Sequence, residues 1–127
     1  MPARIVVVHD EPEFTDAVVS ALLHAGWEAV GFLDPMAALD ALGRAHDIEL
    51  LITRVRFGLG KPHGISLALM ARHRRPKIKL IFTALPEYEA EAIKMGAFLP
   101  LPIDISELLT VVDGLLVRQV KVAQTNA

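Results

Sequence analysis

Short strand-like runs alternate five times with stretches of helical period along the chain. Residues 4–8, which include Ile5, Val6, Val7 and Val8, predict a first strand that is apolar on both faces. Pro12 suits the first turn of the helix that follows. Phe14, Val18, Ala21 and Leu22 recur at helical spacing, and Gly26 provides a stop. Residues 28–32 predict a second strand, and Asp34 with Pro35 an N-cap and N1 pair for a helix to about Ala45. The third strand spans 50–53 and leads into Arg54, then a loop over 55–63 with two glycines and a proline. A third helix follows over 64–74, with Ile65, Ala68, Leu69 and Ala71 on its apolar side. Residues 79–83 predict a fourth strand, 87–95 a short helix and 97–99 a fifth strand. After a turn at Pro100, Leu101 and Pro102, Asp104 or Ser106 caps a last helix to about Val122, with Val112, Leu115 and Leu116 on its inner stripe. Glu107, three residues after Asp104, completes a capping-box spacing.

Five such units with short connections predict an α/β fold: a three-layer sandwich with a five-stranded parallel sheet in the order 2-1-3-4-5 and five helices on its two faces. Residues 1–122 form one domain in this scheme, and 123–127 a frayed tail. At 127 residues the chain is long enough to bury a core, and its 53% hydrophobic share fits a sheet covered on both sides. A net charge of −2 gives no general attraction to nucleic acid or membrane. The absence of cysteine excludes disulfides and thiolate metal sites. With no signal-peptide pattern and no membrane-length apolar run, a cytoplasmic location is the expectation.

In an open parallel sheet, ligands and chemistry gather at the carboxyl ends of the strands. There the first strand runs into His9, Asp10, Glu11 and Pro12, and the third into Arg54. Paired catalytic acids, an activated nucleophile and a glycine-rich phosphate loop are all missing, so no enzyme is expected.

Taken in order, five motifs resemble those of a response-regulator receiver domain over nearly the whole chain. Val-Val-Val-His-Asp-Glu-Pro resembles the opening strand and acidic pair, and Leu-Leu-Ile-Thr-Arg the strand that ends in the phosphoacceptor aspartate. His63-Gly64 resembles the Asp-Gly or Asn-Gly that opens the third helix. Leu80-Ile81-Phe82-Thr83-Ala84 resembles the strand ending in the switch Thr/Ser, and the stretch from Gly96 to Pro102 the segment with the family's lysine and cis-proline. The resemblance implies a flavodoxin-like receiver fold and a role in two-component phosphorelay signalling.

It also marks departures. His9 stands at the first acidic position, with Asp10 and Glu11 as the remnant of the acidic pocket; Arg54 stands at the phosphoacceptor position and Leu101 at the lysine position. Thr83 and Phe98 keep the switch positions, and the loop after Arg54 is one or two residues longer than usual. An arginine cannot act as a carboxylate nucleophile. The expectation is a degenerate receiver that works without phosphorylation and binds no Mg²⁺ or other cofactor, with Arg54 reaching Asp10 or Glu11 in place of metal and lysine. It would act by docking on a kinase, a regulator or a second copy of itself through the fourth helix, fifth strand and fifth helix, with Val111 at the edge of that surface.

Three other roles compete for these residues. Arg54 and His9 could hold a small anion at the strand edge, making the domain a sensor. His9, Asp10 and His63 include metal-ligand types, but Arg54 opposes a cation there. Arg72, His73, Arg74, Arg75, Lys77 and Lys79 form the densest basic cluster, and a DNA contact would use Arg74 and Arg75; without interleaved aromatics, cations complementing a helix C-terminus explain the cluster better.

Overall fold

The structure, a computed structural model, describes residues 4–44, 47–57 and 63–116. Strands β1 (Ile5–Val8), β2 (Ala29–Phe32), β3 (Leu50–Arg54), β4 (Lys79–Ala84) and β5 (Ala97–Pro100) form one parallel sheet in the order β2-β1-β3-β4-β5. Helices α1 (Pro12–His24), α2 (Pro35–Arg44), α3 (Gly64–Arg74), α4 (Glu89–Ala92) and α5 (Ile105–Leu115) connect and follow them. The order agrees with the sequence expectation because each β-branched run returns to the same sheet through a helical crossover.

The sheet divides two cores. On one face Val6, Val8, Leu51, Leu80 and Phe82 pack against Leu39 and Leu42 of α2 and Leu67, Ala68 and Ala71 of α3. On the other Ile5, Val7, Leu50, Ile52 and Ile81 pack against Val18 and Leu22 of α1 and Leu108 and Val112 of α5. Alternate residues of β1 and β3 therefore serve opposite faces, which is why both strands are apolar without interruption.

Local chemistry sets the helix ends. Helix α1 closes with Gly26 at φ 93°, where Trp27 N–H donates to Leu22 O at 2.9 Å and Gly26 N–H to Leu23 O at 3.0 Å, a Schellman arrangement that needs the left-handed residue. Asp34 accepts from Met36 N–H at 3.1 Å ahead of α2, and Asp104 accepts from Glu107 N–H at 3.2 Å at the start of α5.

Three boundaries differ from the sequence pattern. The helix expected over 87–95 is a single 3₁₀ turn (Pro86–Tyr88) followed by one turn of α-helix, because Pro86 fixes the entry and the segment carries few residues to bury. In α3 the inner position belongs to Leu67, fully buried, while Leu69 is 56% exposed. Leu67 shares the buried stripe of Gly64, Ala68 and Ala71, and Leu69 falls outside it. Helix α5 ends at Leu115; the expected continuation to Val122 and the frayed tail lie outside the described residues.

Two glycines test this packing in opposite directions. A Cβ on Gly64 would lie 1.8 Å from the carbonyl oxygen of Arg54, whereas one on Gly114, in α5, would meet nothing within 4 Å. Gly64→Ala is expected to cost about 1–3 kcal/mol as the backbones separate, and Gly114→Ala to add roughly 0.5 kcal/mol from lower unfolded-state entropy. Urea unfolding of the two variants checks both signs.

Candidate functional site

The carboxyl ends of β1, β3 and β4 bring the candidate residues together. Val8 is in register with Thr53, and Arg54 with Thr83. With side chains alternating along each strand, His9, Arg54 and Thr83 fall in one row on the face that α1 and α5 cover. The end of β3 is also held from the far side of its loop: Gly64 N–H donates to Val55 O at 2.7 Å. His63 is the N-cap of α3, its Nδ1 accepting from Ile65 N–H at 3.1 Å, so it serves the helix rather than the row of His9.

Arg54 is the centre of the row. Its Nη1 donates to Asp10 Oδ1 at 2.7 Å and lies 3.8 Å from Glu11 Oε1. The Arg54 and Asp10 side chains are 29% and 21% exposed, and Glu11 is 67% exposed. The short, partly desolvated contact is the strong one; the exposed, longer one adds little. Burial alone would raise the Asp10 carboxyl, but the hydrogen bond and charge of Arg54 outweigh it and hold the group below its ordinary value.

His9 is not a solvent-facing strand-end residue. It is 1% exposed, and its ring stacks on Phe14 at 3.9 Å between centroids and 23° between planes. Burial pushes the imidazole down to about 4, and the Arg54 guanidinium adds to this against the opposing pull of Glu11 and Asp10. The ring is therefore neutral at neutral pH. Nδ1 accepts from Glu11 N–H at 3.2 Å, which puts the single ring proton on Nε2. That Nε2 has no hydrogen-bond partner among the described residues, and the same holds for the buried hydroxyl of Thr83. The neutral ring brings no charge to the strand edge, only the Nε2–H as a donor.

Beyond β4 and β5 the row opens into a cleft of about 400 Å³ lined by Asp10, Arg54, Arg56, Phe57, Ala84, Leu85, Tyr88 and Leu101. Leu101 joins it because its N–H donates to Ala84 O at 2.9 Å, and its bond to Pro102 is cis. The half-buried Phe98 lies away from the cleft, packed against the α2/α3 core. Sequence reasoning missed Arg56, Phe57, Leu85 and Tyr88. Arg56 and Phe57 follow the end of β3, so the recurrence of arginine two residues after Arg54 was the available signal; nothing local marks Leu85 or Tyr88.

Mg²⁺ requires near-octahedral oxygen donors. The row offers one carboxylate, already engaged by a guanidinium, an enclosed neutral imidazole and an exposed Glu11, a donor set that does not suit that ion. The basic cluster at the opposite edge is partly structural. Arg72 Nη2 donates to Ile78 O and Arg75 Nε to Leu42 O, both at 3.2 Å, tying the end of α3 to its neighbours.

The receiver domain of the hybrid histidine kinase CckA is 30% identical to this chain, covering 91% of it and 100% of that domain, with a TM-score of 0.76. The chain belongs to the response-regulator receiver family. Receiver domains serve two-component signalling and interact with kinases and other signalling proteins. The chemotaxis protein CheY4 of Vibrio cholerae is 21% identical with a TM-score of 0.77, covering 91% of this chain and 100% of that one. An adenylate cyclase structure from Rhodopirellula baltica gives a TM-score of 0.80 at 15% identity, covering 91% of this chain and 87% of that one. At these lower identities the likeness is one of fold alone. No family model matches the chain, and no curated protein matches it by sequence. Among the described residues, no helix of this receiver is long and apolar enough to cross a membrane.

Two predictions follow the charges of this receiver's strand edge. Arg54→Asp sets two carboxylates together and is expected to cost about 1–3 kcal/mol in a urea titration at neutral pH; unchanged stability would make the pair incidental. His9 takes up its proton in the unfolded state from about pH 6.5 downwards, but in the folded state only near 4. Stability therefore declines as pH falls through that window. Asp10, depressed in the fold, is stabilising above its ordinary 3.8, and its contribution is lost as pH falls through its lower folded value. His9→Phe should flatten the stability profile between pH 6.5 and 4 and leave the more acidic limb; parallel profiles would assign the sensitivity to another group.

Proposed function

We propose that this receiver is degenerate: it signals without phosphorylation, as a cytoplasmic docking module of a two-component phosphorelay. The observation that carries this is the 2.7 Å contact between Arg54 Nη1 and Asp10 Oδ1. In the family's arrangement, a carboxylate nucleophile, an acidic pair with its Mg²⁺ and a lysine create and hold a phosphoryl group, which is a matter of positioning and charge neutralisation. In this chain Arg54 stands at the nucleophile position, His9 at the first acid and Leu101 at the lysine. The guanidinium supplies the positive charge beside Asp10 permanently, so the edge is balanced without a chemical trigger.

Docking would use α4, β5 and α5, and the partner would be a kinase, another regulator or a second copy of this chain. Leu85 and Ile93, 53% and 56% exposed, flank α4 on either side of the exposed Glu87, Glu89 and Glu91. Such a patch, apolar within an acidic border, suits a partner with apolar anchors and a basic rim. Helix α5 contributes less than its sequence stripe suggests, since Leu109 and Val111 are half-buried against the sheet core. Thr83 and Phe98 would couple edge to docking face, with Phe98 already held inward by the core.

Incubation with acetyl phosphate and Mg²⁺, read by intact mass, is expected to leave the protein unmodified. A variant carrying His9→Asp, Arg54→Asp and Leu101→Lys together should gain one phosphoryl adduct. A phosphoryl adduct on the unmodified chain, or amide shifts spreading from Asp10 and Thr83 to Phe98 with Mg²⁺ and beryllofluoride, would overturn the proposal.

A further inference from the structure

The cleft at the end of the strand row has a chemistry of its own. Its charged lining is Arg54, Arg56 and Asp10; Arg54 is met by Asp10 and, at 3.8 Å, by Glu11, which leaves Arg56 as the unengaged charge of the lining. Asp10 already holds Arg54. Arg56 is exposed, and no ion pair or hydrogen bond engages its side chain among the described residues. The other walls are apolar or aromatic: Phe57, Leu85, Tyr88 and Leu101. Leu85 is 53% exposed where it lines the cleft. A volume of about 400 Å³ falls within the range of small-ligand pockets.

These features select a ligand. One unengaged guanidinium, that of Arg56, suits one anionic group, and the planar fork of arginine matches a carboxylate in two parallel hydrogen bonds. The neighbouring aromatic and aliphatic walls call for a flat apolar body directly attached to that anion. A dianion such as inorganic phosphate would bring surplus charge and no apolar surface, leaving Phe57, Tyr88 and Leu101 uncovered.

We propose that this cleft is a binding site for a small aromatic carboxylate, with Arg56 gripping the carboxylate, the Arg54–Asp10 pair fixed beneath it, and Tyr88, Phe57 and Leu101 enclosing the ring. The charge therefore comes from Arg56, not from the neutral His9. The site shares the Arg54–Asp10 pair and Leu85 with the proposed function and is tested apart from it, by a titration into which neither docking nor phosphorylation enters.

The test is an amide NMR titration with benzoate, using acetate and benzyl alcohol as probes lacking the ring or the charge. Benzoate is expected to give saturable shifts at Arg54, Arg56, Tyr88 and Leu101, with acetate and benzyl alcohol at least about tenfold weaker. Arg56→Gln should weaken benzoate about tenfold while leaving the thermal midpoint unchanged, because Arg56 is exposed. Acetate binding as well as benzoate would overturn the aromatic ligand class. Non-saturating shifts, or benzoate affinity indifferent to Arg56→Gln, would overturn the site itself.

Discussion

Strands β1 and β3 are covered on both faces, so nearly every residue within them must be apolar, and polar atoms can stand only where the strands emerge. This concentrates the charged groups of β1 and β3 at the strand ends. At the carboxyl end His9 and Asp10 leave one strand and Arg54 the other, a few ångströms apart and partly out of water. Charges gathered there must be balanced locally, since an uncompensated charge at that depth costs several kcal/mol. In this chain the balance is made by one guanidinium and one carboxylate. The neutrality of His9 follows first from its burial, and the Arg54 guanidinium beside it adds to this.

The architecture was legible because it rests on period and punctuation. Short apolar runs such as β1 and β3, glycine at the end of α1 and aspartate ahead of α2 and α5 each carry their meaning locally. Sheet order followed from the alternation of elements. The fourth helical segment and the inner face of α3 were less legible, since both depend on how much surface the neighbouring elements leave uncovered. Leu67 and Leu69 are chemically identical, and only the rotation of α3 against the sheet separates them.

The candidate site divides similarly. Arg54 beside Asp10 could be expected from strand ends alone, because register is fixed once the two strands pair. The enclosure of His9 could not, since it depends on Phe14 turning back from the first helical turn to cover the ring. The cleft is assembled from four separated stretches of chain, the ends of β1, β3 and β5 and the run from the end of β4 into the 3₁₀ turn, and no single window of sequence contains it.

The hydrogen bond from Gly64 N–H to Val55 O has an evolutionary consequence. It ties off the connection between β3 and α3 at its neck, with the glycine pressed against the Arg54 carbonyl. What lies beyond a neck of that kind can lengthen cheaply, since doubling a loop adds only about 0.6 kcal/mol of closure entropy. Arg54 and the strand edge thus keep their place under changes of chain length between the two ends of the neck, and the edge need not be rebuilt each time.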